Sequence, residues 1–216
     1  MPRERAPALA GLPLGFAASR DAQEQLTTFV ALLEKWRRVH NLVGRDTLDE
    51  VWDRHIADSA QLVELAPDAR RWLDLGSGAG FPGLVIAILI RDRESAQVDL
   101  VESNQKKCAF LREAVRATSA PAIVHAERIE SVVKRWLAPI DAVTARALAP
   151  LSVLCGYVES LVARGAVAFF HKGRGFEREL GEARQLWDID LVQHAGRGEG
   201  SIVEIRRLIR REKGHA

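Results

Sequence analysis

The chain has 216 residues, 47 % of them hydrophobic, which suits one globular domain with a substantial core. Its longest apolar run, Leu84 to Ile90, is too short to cross a bilayer, and no apolar stretch of signal-peptide length follows Arg3 and Arg5. The formal net charge of +2 is too small to indicate a nucleic-acid partner by itself. The two cysteines lack ligand spacing, which argues against a zinc site, so we expect a cytoplasmic protein without a metal.

The first 66 residues predict helices and no strand. Apolar residues recur at helical spacing from Asp21 to about Val39. A second helix is expected to begin at Thr47, which forms a T-x-x-E capping box with Glu50, and to end before Pro67. Residues 1–66 are therefore predicted to form an N-terminal helical extension.

After residue 67 strands and helices alternate, which predicts a parallel sheet covered by helices on both faces. Two further strands, near Leu191–Gln193 and Ser201–Leu208, are separated by a glycine-containing segment and could pair as a hairpin. Residues 67–216 are thus predicted to contain seven strands and to form one structural unit with the extension. The first five strands are predicted at Arg71–Leu75, Gln97–Val101, Ala122–His125, Ile140–Thr144 and Ala166–His171, and the helices at Pro82–Ile90, Lys106–Ala117, Ile129–Leu137, Leu151–Ala163 and Phe176–Trp187.

A glycine-rich loop follows the first of these strands and opens a helix, which is the setting of a nucleotide-binding turn. Its pattern is D-x-G-x-G-x-G, with Asp74 two residues before Gly76. Phe81 stands where the dinucleotide fingerprint requires its third glycine, which argues against a nicotinamide cofactor. An acid beside the loop suits the cationic sulfonium and amino-acid tail of S-adenosylmethionine. The loop therefore predicts a Rossmann-like fold that binds this methyl donor, although such a turn can also be purely structural.

The second strand ends in Glu102, 26 residues after Gly76. A carboxylate at this place in a Rossmann domain accepts hydrogen bonds from both ribose hydroxyls. Residues after the next two strands, Ile129 with Glu130 and then Arg146, would face the same crevice at the carboxyl ends of the strands. On the sequence alone, Ile129, Glu130 and Arg146 could equally well cap helices or lie at the surface.

With these features the sequence resembles the RsmG (GidB) family, bacterial enzymes that methylate N7 of a guanine in small-subunit ribosomal RNA. The phenylalanine–proline–glycine ending of the loop and the upstream block Arg54-His55-Ile56 with Asp58-Ser59 are more specific than the loop itself. Departures are small: Ile129 replaces a common alanine, and Ala145 stands where serine often precedes the arginine. The remaining matches are Lys35-Trp36, Asn41-Leu42, Arg128-Ile129-Glu130, Arg146-Ala147 and Lys172-Gly173.

The resemblance implies a class I methyltransferase that converts S-adenosyl-L-methionine to S-adenosyl-L-homocysteine and acts on 16S ribosomal RNA or the small ribosomal subunit. We expect the protein to be a monomer and not to associate with membranes. Together with the loop, it assigns the cofactor contacts to Asp74, Gly76, Gly78, Phe81, Glu102, Ser103, Asn104, Ile129, Glu130 and Arg146. It assigns the RNA side to Asn41, Arg54, His55, Asp58, Ser59 and Lys172. Without the resemblance, Arg54, His55 and Asp58 would be interpreted as a surface charge cluster on a helix.

No catalytic dyad is needed for this reaction, because N7 of guanine already carries a lone pair and no proton. Alignment alone is worth up to roughly 7–11 kcal/mol in favourable cases. Arg146 and Lys172 are the candidates to donate to the guanine edge, but no firm catalytic residue is assigned. The target base should be unpaired, since the major groove of A-form RNA is too narrow for side chains.

Three alternatives stay open on the residues alone. A nicotinamide oxidoreductase shares the fold class but conflicts with Phe81. A non-catalytic RNA-binding module would be expected to have an eroded loop, whereas Glu102 and Arg146 are both present. A small-molecule or other RNA methyltransferase on the same fold is the nearest alternative, although a small-molecule enzyme has no evident use for the Arg54–Ser59 block.

Overall fold

The computed structural model of the chain describes residues 19–37, 51–197 and 200–212. Its helices are α1 (Arg20–Arg37), a π-helical turn (Val51–Ile56) that continues into α2 (Ala57–Leu65), α3 (Gly83–Leu89), α4 (Gln105–Thr118), α5 (Ile129–Arg135), α6 (Leu151–Val162) and α7 (Phe176–Leu186). The strands are β1 (Arg71–Leu75), β2 (Gln97–Val101), β3 (Ala122–His125), β4 (Ala142–Arg146), β5 (Val167–Lys172), β6 (Trp187–Ala195) and β7 (Ser201–Arg210).

The seven strands form one sheet in the order β3-β2-β1-β4-β5-β7-β6. The first five strands pair in parallel, with Trp72 of β1 opposite Val98 of β2 and Ala142 of β4. β7 runs antiparallel to both β5 and β6. The predicted parallel sheet, its seven strands and the C-terminal hairpin are therefore confirmed.

Helices cover the two faces of the sheet with separate apolar cores, because residues of a parallel strand alternate between the faces. On one face Phe29 of α1 lies 5.3 Å from Phe81 and 6.2 Å from Phe110 of α4, measured between ring centroids. On the other face Leu154 of α6 and Leu180 of α7 pack over the central strands. The N-terminal helix thus shares its core with the glycine loop, and the division of the chain at residue 66 stays a prediction.

Three boundaries differ from the expectations. The second N-terminal helix begins at Val51 with a π-helical turn, and the Thr47–Glu50 capping box lies outside the described residues. β4 spans Ala142–Arg146 and begins later than predicted; the Asp141 carboxylate just before it accepts the N–H groups of Arg70 and Arg71, at 2.8 Å each. β6 is nine residues long instead of three because the whole segment pairs with β7, and the buried Trp187 belongs to this hairpin and does not extend α7.

No helix within the described ranges is both long enough and apolar enough to span a membrane.

Candidate active site

The candidate site lies where β1 and β4 neighbour each other, although β2 and β3 separate them in sequence. The connections from these two strands leave toward opposite edges of the sheet, which opens a crevice at their carboxyl ends. The glycine loop follows β1, Glu102 follows β2, and Arg146 ends β4. The sheet order therefore brings together three predicted site residues that are far apart in sequence.

The glycine loop turns on residues with positive φ, which explains its composition. Gly76, Gly78 and Gly80 have φ values of +73°, +56° and +92°, a region that side chains with a Cβ rarely occupy. The N–H groups of Gly76 and Ser77 both donate to the Val101 carbonyl oxygen at 2.9 Å, which ties the loop to the end of β2. A Cβ on Gly76 would also lie 2.8 Å from Cδ1 of Leu148.

Asp74 is completely buried beneath the loop and supports its far end. Its Oδ2 accepts the N–H of Gly83 at 3.2 Å, and a Cβ on Gly83 would lie 2.4 Å from the same oxygen. Burial raises the pKa of Asp74 to about 7, and hydrogen bonds from Ser77 and Gly83 lower it only in part. Its Oδ1 is buried, and no residue in the described part of the chain forms a hydrogen bond with it. Asp74, which was expected to contact the cofactor, is thus placed as the support of the loop.

Asp74 makes the stability of the fold depend on pH. Its folded-state pKa lies above the ordinary value, so its contribution is fully present below about pH 4 and is lost as the pH rises through 7. Asp74→Asn cannot ionise. We expect the free energy of unfolding of the wild type, relative to this variant, to fall between pH 5 and pH 8 by up to about 1.4 kcal/mol per pH unit. Urea unfolding at both pH values measures the difference, and a constant difference would contradict the assignment.

The Glu102 carboxylate spans the loop and the start of α4. Oε2 accepts the N–H of Gly78 at 3.0 Å, and Oε1 accepts the N–H of Asn104 at 2.8 Å. Each oxygen keeps a further lone pair, which is what a ligand with two adjacent hydroxyl groups requires. Glu102 is 9 % exposed, so it lies at the floor of the crevice and still reaches its surface.

The other predicted cofactor residues lie around the same crevice. Ser103 is exposed beside Glu102, and the side chain of Asn104 caps α4 by accepting N–H groups of that helix at 3.0 and 3.2 Å. Ile129 is half-buried at the start of α5. Glu130 is exposed and accepts a hydrogen bond from the Tyr157 hydroxyl at 2.8 Å. Hydrogen bonds from its own backbone N–H and from Tyr157 hold the pKa of the Glu130 carboxyl below its usual range.

The N-terminal extension contacts the loop through aromatic rings. Phe81 is nearly buried, and the His55 ring stacks on it with centroids 5.0 Å apart and an interplanar angle of 28°. His55 belongs to the π-helical turn, and single π-helical turns are frequent at functional sites. The structure thus brings the Arg54–Ser59 block to the crevice, while Asn41 lies outside the described residues.

A pocket of about 370 Å³ adjoins this block. The Arg146 guanidinium lies 3.7 Å from Asp58 Oδ2 and 3.5 Å from the backbone oxygen of Arg54. Burial raises the pKa of Asp58 above its usual value, and the charge of Arg146 lowers it only in part. Ser59 is buried and donates to the His55 carbonyl oxygen, which gives it a role within α2. The pocket wall includes Arg54, Asp58, Arg146, His171, Lys172 and Arg174, together with backbone of Gly196 and Gly200 from the hairpin turn.

Lys172 is buried, and its ammonium group is held by the protein. Nζ donates to the Ala149 carbonyl oxygen at 2.9 Å and to Glu179 Oε2 at 2.7 Å. The same Glu179 oxygen accepts the N–H of Leu151 at 2.9 Å. Burial raises the pKa of Glu179, but Lys172 and the Leu151 N–H outweigh it, so this pKa lies below its usual range. The pair fixes the segment that follows Arg146, and one ammonium proton is left beyond these two bonds.

Removal of the Lys172 cation should therefore loosen this segment. Lys172→Met leaves Glu179 without its counter-ion. We expect the free energy of unfolding to drop by about 2 kcal/mol, less than the 3–5 kcal/mol of a fully buried pair because Glu179 is partly hydrated. Urea unfolding measures the loss, with Lys134→Met as a control at an exposed lysine. Equal stabilities of the two variants would show that the pair does not hold the segment.

Three residues of the site were not found from the sequence. Leu148 covers Gly76, Glu179 pairs with Lys172, and His171 lies on β5 opposite Arg146. None belongs to a motif, and their places depend on which strands are neighbours. The register opposite Arg146 is the one signal that could have pointed to His171, and it requires the sheet order.

The residues fit S-adenosylmethionine on three observations. Above Gly78 the loop is open, since a Cβ there would meet nothing closer than the Gly76 oxygen at 3.7 Å. Glu102 offers two acceptors to the two hydroxyls of a ribose. Leu148 and Ile129, which are both partly buried, provide apolar surface beside the crevice. Among the described residues no group of three or more His, Cys, Asp or Glu side chains is placed to hold a metal ion.

Fold and site together define a class I methyltransferase that depends on S-adenosylmethionine. The model of the GidB family, described as rRNA small subunit methyltransferase G, matches residues 22–199. The chain belongs to this family, which confirms the resemblance found in the sequence.

Close relatives carry the same name. "Ribosomal RNA small subunit methyltransferase G" of Nitrobacter hamburgensis is 49 % identical over 212 residues, which are 97 % of this chain and 80 % of the relative. The protein of that name from Bradyrhizobium sp. strain BTAi1 is 50 % identical over 204 residues, 94 % of this chain and 90 % of the relative.

Solved structures with low sequence identity share the fold. Cofactor-bound Rv0187 from MTB superposes with a TM-score of 0.62 at 18 % identity, over 85 % of this chain and 90 % of that one. An O-methyltransferase from Bacillus cereus in complex with SAH superposes with a TM-score of 0.60 at 15 % identity, over 83 % of this chain and 90 % of that one. The predicted Rossmann-like architecture is therefore confirmed.

Proposed function

We propose that this chain transfers the methyl group of S-adenosylmethionine to N7 of a guanine in bacterial 16S ribosomal RNA. The observation that carries the proposal is the juxtaposition, at one switch point, of the glycine loop with Glu102 and of a pocket lined by arginines. The first suits a nucleoside with a ribose, and the second suits a polyanionic strand. Membership of the methyltransferase G family narrows the substrate to ribosomal RNA.

The mechanism we derive rests on alignment. When bound, S-adenosylmethionine supplies a methyl group activated on a sulfonium. Glu102 holds the ribose hydroxyls and the glycine loop leaves room for the remainder, while Leu148 and Phe81 line apolar parts of the crevice. Guanine N7 has a free lone pair, so no side chain has to remove a proton. We propose that Arg146, which ends β4, donates to the base and holds it in line.

The target is proposed to be an unpaired base. Arg54 and Arg174 line the outer part of the pocket and are exposed, where they can meet phosphates of the flanking strand. Lys172 can offer its third proton to the substrate in addition to its bonds with Ala149 and Glu179. A cytoplasmic monomer that acts without a metal, on 16S ribosomal RNA or the small subunit, completes the proposal.

The test is a comparison of guanines in 16S ribosomal RNA from cells with and without this gene. One 7-methylguanosine should be present only with the gene, detected by chemical cleavage at that base and by mass spectrometry. Complementation with Arg146→Ala should leave the site unmethylated or strongly undermethylated, whereas Arg207→Ala, an exposed arginine of β7 that pairs with Asp188, should restore it. Identical modification maps with and without the gene would refute the substrate assignment.

The nearest alternative, a small-molecule methyltransferase, makes a different prediction. It would leave ribosomal RNA unchanged and would not need the Arg54–Ser59 block beside the pocket. The same mapping experiment therefore separates the two functions.

A further inference from the structure

The pocket beside Arg146 contains hydrogen-bond acceptors that the protein leaves unused. Nδ1 of His171 and Oδ1 of Asp58 are both buried, and neither has a hydrogen-bond partner among the described residues. A buried acceptor without a donor destabilises the protein, so two of them in one pocket wall call for an explanation. Both residues line the same pocket of about 370 Å³, a size that suits a nucleotide.

The tautomer of His171 follows from its other nitrogen. Nε2 lies 3.2 Å from the backbone oxygen of Asp58, which can only accept, so Nε2 carries the proton and Nδ1 keeps a lone pair. Burial and then the charge of Arg146 lower the pKa of His171 to about 4, so the ring is neutral at physiological pH. Asp58 Oδ1 and His171 Nδ1 are thus two buried acceptors on residues that line the pocket.

We propose that His171 Nδ1 and Asp58 Oδ1 accept the N1–H and N2–H groups of the target guanine and thereby select guanine against adenine. The inference rests on the proposed function and adds the chemistry that reads the base. At the corresponding positions adenine has a lone pair on N1 and no amino group, so it would leave both acceptors without donors. The guanine O6 atom accepts hydrogen bonds, so the guanidinium of Arg146 is a suitable donor to it.

The order of the strands supports this orientation. The cofactor loop follows β1, Arg146 ends β4, and His171 pairs with Arg146 on β5, so the three stand side by side across the sheet. Neighbouring strands are about 4.8 Å apart, so His171 lies about 10 Å from the loop across the sheet. A guanine with N7 toward the loop places O6 near Arg146 and its N1–N2 edge toward His171 and Asp58.

The contact between Arg146 and Asp58 is compatible with this arrangement. The guanidinium lies 3.7 Å from Asp58 Oδ2, which is long for an ion pair, whereas the guanine donor would use Oδ1. Arg146 can therefore stay near Asp58 and donate to the guanine O6 with another of its N–H groups.

The experiment measures binding of GMP, IMP and AMP to the full chain saturated with S-adenosylhomocysteine. IMP lacks only the N2 amino group, and AMP lacks both donors and O6. We expect affinity in the order GMP, IMP, AMP for the wild type. His171→Leu should reduce the preference for GMP over AMP by about tenfold, because only GMP has an N1–H to donate, and His171→Asn, which keeps an acceptor near the Nδ1 position, should restore part of it. The ¹⁵N resonance of His171 Nδ1 should move on addition of GMP and stay in place with AMP.

The control is His125→Leu, which removes an imidazole from the distant edge strand β3 and should leave the preference intact. On small subunits from cells that lack the gene, His171→Leu should lower kcat/KM about tenfold while binding of S-adenosylhomocysteine is unchanged. Equal affinities for GMP, IMP and AMP, or an unchanged preference in His171→Leu, would overturn the inference even if the wild type forms 7-methylguanosine. A wild type that forms no 7-methylguanosine would instead refute the proposed function.

Discussion

Glu102→Ala should weaken binding of S-adenosylmethionine and S-adenosylhomocysteine by at least on the order of 100-fold. The substitution removes the acceptors of two backbone N–H groups, those of Gly78 and Asn104, as well as the proposed ribose contacts. Each N–H left without a partner costs about 1–3 kcal/mol, and the glycine loop loses its tie to the start of α4. Titration calorimetry with both ligands measures the effect.

Two variants make this result specific. Glu127→Ala removes a glutamate that pairs with Arg135 on the surface of the same sheet edge, and it should leave the affinity unchanged. Glu102→Gln keeps one oxygen acceptor and should fall between the wild type and the alanine variant. If Glu102→Ala bound both ligands with wild-type affinity, the assignment of Glu102 to the cofactor site would be wrong.

Gly83→Ala should destabilise the fold by about 3 kcal/mol and abolish cofactor binding with it. The new Cβ would lie 2.4 Å from Asp74 Oδ2 and 2.5 Å from Cδ2 of Leu100, and neither of these buried groups has space to withdraw. Relief of the clash requires α3 to move away from β1, which breaks the hydrogen bond from the Gly83 N–H to Asp74. Thermal or urea unfolding measures the loss of stability.

The matched control is the same chemical change at Gly181 in α7. A Cβ there meets nothing within 4 Å, and the residue is exposed within a helix. Gly181→Ala should therefore stabilise the protein by roughly 0.5–1 kcal/mol, since alanine loses less backbone entropy in a helix. If Gly83→Ala were as stable as Gly181→Ala, the close approach of α3 to Asp74 would be wrong.

The elements of the domain could be predicted from the sequence because local patterns encode them. Apolar runs such as Arg71–Leu75 and Gln97–Val101 are bounded by glycine or polar residues, and buried parallel strands have this composition. Element boundaries were less certain. The start of β4 and the length of β6 depend on Asp141 and Trp187, whose partners are far away in sequence.

The cofactor half of the site was also visible in the sequence, because its chemistry is local. Gly76, Gly78 and Gly80 are needed for positive φ values, and Glu102 is placed by the length of one strand–helix–strand unit. The family resemblance further indicated Arg54, Asp58 and Arg146, but not what they contact. Lys172 was predicted as a residue of the RNA side; the structure gives its ammonium two protein partners, and its role toward substrate stays a prediction.

The chain's own order of residues thus determined the alternation of strands and helices, the glycine turn and the acid that follows it, since each depends on neighbours within about 30 positions. Only the tertiary structure decided that Asp58 meets Arg146, that Glu179 holds Lys172, and that Nδ1 of His171 is buried without a partner among the described residues. The physical reason is that the strand order places β5 next to β4, and the π-helical turn lies beside both strands. No local pattern in the sequence specifies which distant segments become neighbours in this way.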